Sequence, residues 1–132
     1  MSQAILLPNE IMYSIDNRVK NIKRGDIFLA DLSLALGSEQ TGIKYVLVIG
    51  NDIGNKYSPC VEVCCITSQK KSALPTHVKM PLGNGLPKES TILTEHKKTI
   101  DKVRLISHKT RLSPELMNQV DRALMISLGI NI

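Results

Sequence analysis

An acid, an amide and a cation stand close together in this chain, where a polar segment meets an apolar one. Residues 37–42 form a turn-prone run that contains Glu39 and Gln40, and the apolar, β-branched run of residues 46–49 follows, with Lys44 between the two runs. A rigid strand that begins in a loop aims such side chains at a ligand. Because a carboxylate can accept a proton and an ammonium group can donate one or hold an anion, this junction is the first candidate functional site.

A second region is rich in cations. Between residues 97 and 111 six basic residues accompany a single acid, Asp101, and Lys70 and Lys71 add further positive charge. The chain has a net charge of +5 and a pI near 9.2. Phosphate backbones favour such a density of cations through counterion release, and a solvated strand face is the alternative interpretation. With no Trp and one Phe, recognition of bases would depend more on hydrogen bonds than on stacking.

Several other chemistries lack their sequence signatures. The chain has no G-x-G-x-x-G run, no P-loop and no His-Glu-x-x-His, so we expect no cofactor and no metal. Its three cysteines, Cys60, Cys64 and Cys65, include no Cys-x-x-Cys spacing. Neighbouring residues of a strand point to opposite faces, so Cys64 and Cys65 should remain free thiols, as is usual in the cytoplasm. The apolar run at residues 5–7 is too short for a signal peptide or a membrane span.

The elements that would position these residues are mostly short strands. A chain of 132 residues is long enough for one domain. Residues 1–22 are predicted to form an extension with a short amphipathic helix, since apolar residues recur there at helical spacing. Strands are predicted at residues 27–30, 45–49, 60–67, 76–80, 91–95 and 103–109. Turn chemistry at residues 51–55 and a loop at residues 81–87 separate some of them, a pattern that favours a small barrel or sandwich.

The C-terminal segment has the signals of a helix. Ser113 suits the N-cap, Pro114 the first helical position and Gly129 the C-terminal cap. The predicted apolar stripe consists of Leu116, Val120, Ala123, Leu124, Ser127 and Leu128. Met117, Met125 and Ile126 lie off this stripe, so the helix needs a second surface to bury it. A homodimer contact and a wider intramolecular groove are the two alternatives.

The same segments, in the same order, resemble the MazF/PemK family of toxin endoribonucleases, and most closely its Gram-positive branch. The resemblance runs from about Lys23 to Gly129. The family signature Gly-Ser-Glu-Gln-x-Gly-x-Arg-Pro-Val-Leu-Val corresponds to residues 37–48, with Lys44 in place of the arginine. The family's Ile-Thr-x-Gln corresponds to residues 66–69. Shorter matches follow at residues 23–26, 31–33, 51–55, 74–78, 93–96, 99–102 and 120–128.

This resemblance implies a mainly β fold, an SH3-like small barrel with a C-terminal α-helix, over residues 23–132. It also implies a cytoplasmic homodimer that acts as the toxin of a toxin–antitoxin pair. Such an enzyme is a sequence-specific, metal-independent endoribonuclease that cleaves single-stranded RNA to 2′,3′-cyclic phosphate and 5′-hydroxyl ends, and so blocks translation and growth. A cognate antitoxin protein neutralises it by covering the RNA groove.

Residue roles follow from the same resemblance. The family's catalytic arginine and threonine correspond to Lys44 and Thr67, and Glu39 is placed to orient Lys44 or to take a proton. RNA contacts are implied for Ser38, Glu39, Gln40, Thr67, Gln69, Glu95 and His96. Lysine lacks the bidentate fork of arginine. Two alternatives therefore stand beside the enzyme: a catalytically weakened homologue, and a non-enzymatic toxin of the same fold that inhibits a protein such as DNA gyrase.

Overall fold

The computed structural model of the protein describes residues 21–33, 42–70 and 72–131. Within them lie the strands β1 (Asp26–Asp31), β2 (Ile43–Val48), β3 (Cys60–Thr67), β4 (His77–Met80), β5 (Ser90–Asp101) and β6 (Leu105–Arg111). Helix α1 (Asp52–Tyr57) joins β2 to β3, a 3₁₀ turn (Lys102–Arg104) joins β5 to β6, and helix α2 (Pro114–Leu128) follows β6. The helix predicted near the N-terminus falls almost entirely on residues 1–20, outside the described residues.

The strands form one antiparallel sheet in the order β4-β5-β3-β2-β1-β6. The expected mainly β fold with a C-terminal helix is confirmed. Each predicted strand is present, but β5, expected at residues 91–95, continues to Asp101 and pairs with β3 over most of its length. In the described part of the chain, hydrogen bonds do not close the sheet between its edge strands β4 and β6. Other contacts must therefore hold these two edges near each other.

The loop between β4 and β5 supplies one such contact with β6. Gly85 in this loop approaches β6 so closely that a Cβ atom added to it would lie 2.5 Å from Oγ1 of Thr110. The φ angle of Gly85 is also +93°, a conformation that residues with a Cβ atom rarely adopt. Both the backbone conformation and the close approach therefore require glycine at this position.

The sheet buries a hydrophobic core on each face. Val46 and Val48 of β2 lie in the first core, which also contains Phe28. Leu47, between them, lies in the second core, to which α2 contributes Val120. Val46, Leu47 and Val48 are all completely buried. The prediction that this apolar run is buried on both faces is confirmed, and it explains why the run lacks the alternation of a half-exposed strand.

The cysteines follow the same division. Cys64 lies in the second core and Cys65 in the first, so the two thiols point to opposite faces as predicted, and none of the three cysteines, all of them within the described residues, forms a disulfide. Burial raises the pKa of the Cys64 thiol to about 12. Cys60 is partly exposed, and its thiol donates a hydrogen bond to Oδ1 of Asp101 (3.3 Å), which raises the pKa of Cys60.

The turn into β1 places a buried carboxylate between two strands. Asp26, the first residue of β1, has a side chain that is only 2% exposed. Its Oδ1 accepts a hydrogen bond from Nε of Arg111 on β6 (2.9 Å) and lies 3.3 Å from Nε2 of His108. Its Oδ2 accepts one from the backbone N–H of Lys23 (2.9 Å). The hydrogen bond to Asp26 raises the pKa of Arg111, so the pair stabilises its own charged form.

The prediction of a turn at residues 51–55 is wrong, because Asn51 instead caps helix α1. Its side-chain oxygen accepts a hydrogen bond from the backbone N–H of Gly54 (2.8 Å). Asn55 is buried and donates to the carbonyl of Gly50 (3.0 Å). Asn and Asp make the same local hydrogen bonds in turns and at helix N-termini. The sequence therefore correctly indicated a capping hydrogen bond at Asn51, but it could not distinguish a turn from a short helix.

Helix α2 begins and ends as predicted. The Ser113 side chain accepts a hydrogen bond from the backbone N–H of Leu116 (3.2 Å), Pro114 is the first helical residue, and Gly129 adopts a φ of +72°. Neither helix of the described part of the chain has the length and hydropathy that crossing a bilayer requires.

The faces of α2 differ in part from the prediction. Val120 and Ala123 are buried in the second core, but Leu128 is 59% exposed, so the packed stripe ends before it. Met117, expected off the stripe, packs against the second core as well. The wider intramolecular groove therefore accounts for Met117, whereas Ile126 is 53% exposed in the single chain.

The contact between Gly85 and β6 can be tested with a matched pair of variants. Gly83→Ala and Gly85→Ala both place a methyl group on a residue of nearly the same positive φ, but the Cβ at position 83 would meet no atom within 4 Å. We expect Gly83→Ala to lower the free energy of unfolding by about 1 kcal/mol, the cost of the backbone conformation alone. Gly85→Ala should cost about 1–3 kcal/mol more through overpacking against Thr110. Urea denaturation measures both values, and equal losses would show that the loop does not press on β6.

Candidate functional site

Lys44 and Thr67 lie toward the ends of neighbouring strands. Strands β2 and β3 are antiparallel, and their paired residues run from Val48 opposite Val63 to Val46 opposite Cys65. Continued for two more residues, this register would place Lys44 opposite Thr67, and residues opposed in this way share one face of a sheet. The strand register therefore directs two of the three predicted catalytic residues toward the same side of the sheet.

Both residues line one cleft. Its volume is about 320 Å³, and its walls are Leu29, Ile43, Lys44, Tyr45, Ile66, Thr67, Ser68, Gln69, Pro87, Lys88 and Ser90. Gln69, predicted to contact RNA, is among them. The walls combine apolar side chains from the ends of β1, β2 and β3 with a few polar groups, a composition typical of ligand sites. Lys44 and Lys88 are the charged residues of this wall, so the cleft favours an anionic ligand.

The hydroxyl of Thr67 is held in place from one side. Thr67 is the last residue of β3 and is 6% exposed. Its Oγ1 accepts a hydrogen bond from the backbone N–H of Gln69 (3.1 Å). This bond uses a lone pair of the oxygen and not its proton, so the O–H can donate to a ligand atom in the cleft. The turn that follows β3 therefore fixes the hydroxyl oxygen and leaves its proton available.

Lys44 is partly buried on β2. In the described part of the chain its ammonium group forms no hydrogen bond or ion pair with another residue. An unpaired cation beside a buried hydroxyl is able to stabilise a phosphoryl group that develops negative charge, or to donate a proton. Ser38, Glu39 and Gln40, the other residues expected at this junction, lie outside the described residues.

Sequence reasoning missed part of the cleft wall. Pro87, Lys88 and Ser90 come from the loop before β5 and from its first residue, and reach the cleft because Thr91 pairs with Thr67. No local motif marks them. Only the pairing of β3 with β5, which is a long-range contact, could have placed them there.

Glu95 and His96 lie elsewhere on β5. Cys65 pairs with Leu93 and Cys64 with Lys97, so residues 94–96 form a bulge. At about 3.3 Å per residue, Glu95 is roughly 13 Å along the strand from Thr91. Neither Glu95 nor His96 lines the cleft in the single chain. Their predicted RNA contacts would extend the binding surface beyond the cleft.

The bulge carries a side-chain contact that also fixes the neighbouring loop. Oε2 of Glu95 lies 2.7 Å from Nε2 of His77, while Nδ1 of His77 lies 2.9 Å from the carbonyl oxygen of Ser72. Burial raises the pKa of Glu95. Hydrogen bonds from its own backbone N–H, from His77 and from Thr76 lower this pKa by more than burial raises it, so the pKa of Glu95 lies below its usual value. Glu95 thus anchors the loop between β3 and β4, whose first residues line the cleft.

Comparison with known protein families identifies relatives of this chain. A family model described as the PemK-like, MazF-like toxin of type II toxin–antitoxin systems matches residues 23–128. Endoribonuclease EndoA of Bacillus subtilis (strain 168) is 50% identical over 111 residues, which cover 83% of this chain and 96% of that protein. The predicted resemblance to this family, and to its Gram-positive members, is confirmed.

Solved structures share the fold. MazF (Form-I) from Deinococcus radiodurans superposes with a TM-score of 0.74 at 22% identity and covers 83% of this chain and 97% of its own. A mycobacterial endoribonuclease in complex with its cognate antitoxin gives a TM-score of 0.73 at 23% identity, covering 84% of this chain and 98% of its own. At these identities the two structures establish the architecture alone.

The carboxylate of Glu95 makes stability depend on pH in a defined direction. Because its folded-state pKa is lowered, its stabilisation is present above the unfolded pKa of about 4.3 and disappears as the pH falls through the folded-state pKa. We expect Glu95→Gln to lower the free energy of unfolding by about 1 kcal/mol at neutral pH, and the difference from the native chain to shrink below about pH 4. Urea denaturation across this range measures it. Glu89→Gln, a substitution at an exposed glutamate, is the control, and a pH-independent loss in Glu95→Gln would contradict the assignment.

Proposed function

This chain belongs to the PemK-like, MazF-like family of toxins of type II toxin–antitoxin systems, and we propose that it is a sequence-specific endoribonuclease that cleaves single-stranded RNA without a metal ion. The observation that supports the proposal is the presence of Lys44 and Thr67 in the wall of one cleft, toward the ends of the antiparallel strands β2 and β3. The relative EndoA, half of whose aligned residues are identical, bears the name endoribonuclease. Cleavage of messenger RNA would block translation and growth.

The proposed reaction uses the RNA itself as nucleophile. The 2′-oxygen attacks the adjacent phosphorus, a new 2′-O–P bond forms and the P–O5′ bond breaks. The products are a 2′,3′-cyclic phosphate and a 5′-hydroxyl end. One proton leaves the 2′-hydroxyl and one reaches the departing 5′-oxygen, so the protein must accept one proton, supply another and stabilise the charge on the phosphoryl oxygens.

The residues of the cleft suit these tasks. The hydroxyl of Thr67, whose oxygen is held by Gln69, donates to a phosphoryl oxygen. Lys44 stabilises the pentacoordinate phosphorus and protonates the 5′-oxygen. It provides one point of charge where a guanidinium would provide two parallel hydrogen bonds. We assign removal of the 2′-proton to Glu39, which precedes β2.

RNA on either side of the cleaved bond needs further contacts. We assign these to Ser38 and Gln40 before β2, to Gln69 in the cleft wall, and to Glu95 and His96 on the bulge of β5. The separation of the bulge from the cleft fits a strand of several nucleotides rather than a single one. A homodimer would bring a second copy of these surfaces together, and a cognate antitoxin protein is the proposed inhibitor.

The lysine at position 44 also motivates a second candidate. A toxin of this fold that inhibits a protein target such as DNA gyrase needs no catalytic cation, and a weakened nuclease would retain RNA binding without efficient cleavage. These candidates differ from the leading proposal in whether discrete RNA cuts appear and in how Lys44→Arg changes them.

Cleavage of a long single-stranded RNA by the purified chain in EDTA, with mapping of the ends, tests the proposal. We expect discrete cuts with 2′,3′-cyclic phosphate ends. Thr67→Val, which keeps the shape and removes the hydroxyl, should reduce the rate by about 10²–10³-fold. Lys44→Ala should reduce it by a similar factor, whereas Thr99→Val and Lys56→Ala, at exposed positions outside the cleft, should leave it unchanged.

Other outcomes separate the candidates. Cleavage by Lys44→Arg but not by the native chain would identify a weakened homologue on an intact scaffold. Absence of cleavage by both chains would reject the nuclease and favour the inhibitor of a protein target. A requirement for added magnesium would contradict the proposed chemistry.

A further inference from the structure

A second cleft adjoins the one that contains Lys44 and Thr67. It has a volume of about 200 Å³, and its walls include Lys70, Lys79 and Glu89. Ser68, Gln69 and Ser90 line both clefts. Because the two clefts share these three residues, they adjoin at the ends of β3 and β5, and the second reaches the edge strand β4. The two adjoining clefts together are called the groove.

The charges along this groove suit a polyanion. Among the described residues, Lys44 and Lys88 line the first cleft and Lys70 and Lys79 the second, against one acid, Glu89. Lys70 and Lys79 are exposed, and within the described residues neither ammonium group is engaged in a hydrogen bond or ion pair. Lysines that do not neutralise a protein carboxylate remain available to an external anion, and two of them in one concave surface focus positive potential there.

The walls of the second cleft restrict the ligand. Met80 and Pro81 supply its apolar side chains, and the other wall residues are polar or charged. It adjoins the site at which a phosphodiester would be cleaved. An extended ligand with repeated phosphates fits this geometry better than an isolated anion.

We infer that the second cleft is a subsite for the RNA segment on one side of the cleaved bond, with Lys70 and Lys79 on its phosphates. The inference rests on the proposed function and adds to it the direction in which the strand leaves the catalytic cleft, toward β4. Gln69 and Ser90, at the junction of the two clefts, lie where the strand passes from one to the other. Glu89 repels phosphate and accepts hydrogen bonds from the amino groups of bases, so it keeps the backbone of the RNA on the lysine side.

The test uses substrates cut from an RNA whose cleavage position has first been mapped. Both oligonucleotides keep the cleaved bond and the nucleotides that flank it; one extends farther only in the 5′ direction and the other only in the 3′ direction. The double variant Lys70→Gln/Lys79→Gln is compared with the native chain and with Lys23→Gln/Lys56→Gln. This control removes the same charge from exposed positions outside both clefts.

The expected result is asymmetric. For one of the two oligonucleotides, the Lys70/Lys79 variant should raise KM on the order of tenfold with little change in kcat. It should also reduce the slope of log affinity against log salt by about 1.4, the value for two lost phosphate contacts on a single strand. For the other oligonucleotide, and for the control variant, KM should remain that of the native chain.

Two results would overturn the inference. An unchanged KM on both oligonucleotides would show that the second cleft holds no RNA. An equal rise for both oligonucleotides and for the control would show that only the general positive field matters. If the native chain does not cleave at all, the proposed function fails separately. Binding of the same RNAs with 2′-O-methyl groups, measured by fluorescence anisotropy, then decides the subsite: loss of affinity confined to the Lys70/Lys79 variant supports it, and anything else rejects it.

Discussion

The buried carboxylate of Asp26 is the interaction on which the geometry of the sheet depends. An ionised group with almost no exposure is tolerated only when it is fully hydrogen bonded, and here one oxygen receives Arg111 and the other the backbone of Lys23. These bonds fix the first residue of β1 opposite the last of β6, although the β1–β6 ladder is interrupted by two register shifts. Since β1 in turn pairs with β2 and places Ala30 opposite Lys44, the candidate catalytic lysine is positioned by a strand whose other end is held by the carboxylate of Asp26.

The neighbouring Arg24 connects this point to the rest of the molecule. Its guanidinium donates to Asp121 on α2 (2.6 Å) and to the carbonyl of Ile49 (2.8 Å), and its backbone N–H donates to Asp52 on α1 (2.7 Å). The hydrogen bond from the backbone N–H of Arg24 lowers the pKa of Asp52. The turn before β1 thus holds both helices against the sheet, and it lies away from the cleft. Rigidity is concentrated at one end of the strands, while the ligand site occupies the other, where the strands begin or end in loops.

The sequence allowed much of the fold to be predicted, because its signals are local. The continuous apolar run of β2 and the caps Ser113 and Gly129 each depend on a few adjacent residues, and each is present in the structure. The sequence of the short helix after Asn51 predicts a turn, since turns and helix N-termini use the same capping hydrogen bond. The length of β5 was underestimated because its bulge interrupts the alternation of side chains. Leu128 at the end of α2 is exposed because the second core ends before it. The spacing of apolar residues along a helix does not show where the core ends.

The candidate site was predictable only in part, and the limit has a physical cause. Lys44 and Thr67 are marked by motifs, and the register of β2 and β3 directs them toward the same side of the sheet. Lys88 and Ser90 join the same cleft through pairings with residues more than 20 positions away in the chain, for which composition and spacing carry no signal. The residues that bear a recognisable motif are those that would do chemistry. Those that shape the groove around it are set by tertiary structure.

The state of the thiols has a consequence for how such a protein would respond to oxidative stress. The sulfur chemistry of oxidants, nitrosating agents and glutathione exchange proceeds through the thiolate. Burial raises the pKa of Cys64 to about 12, and the carboxylate of Asp101 raises that of Cys60, so both sulfurs remain protonated and poorly nucleophilic in the folded chain. Oxidants in the cell would therefore react only slowly with these two thiols.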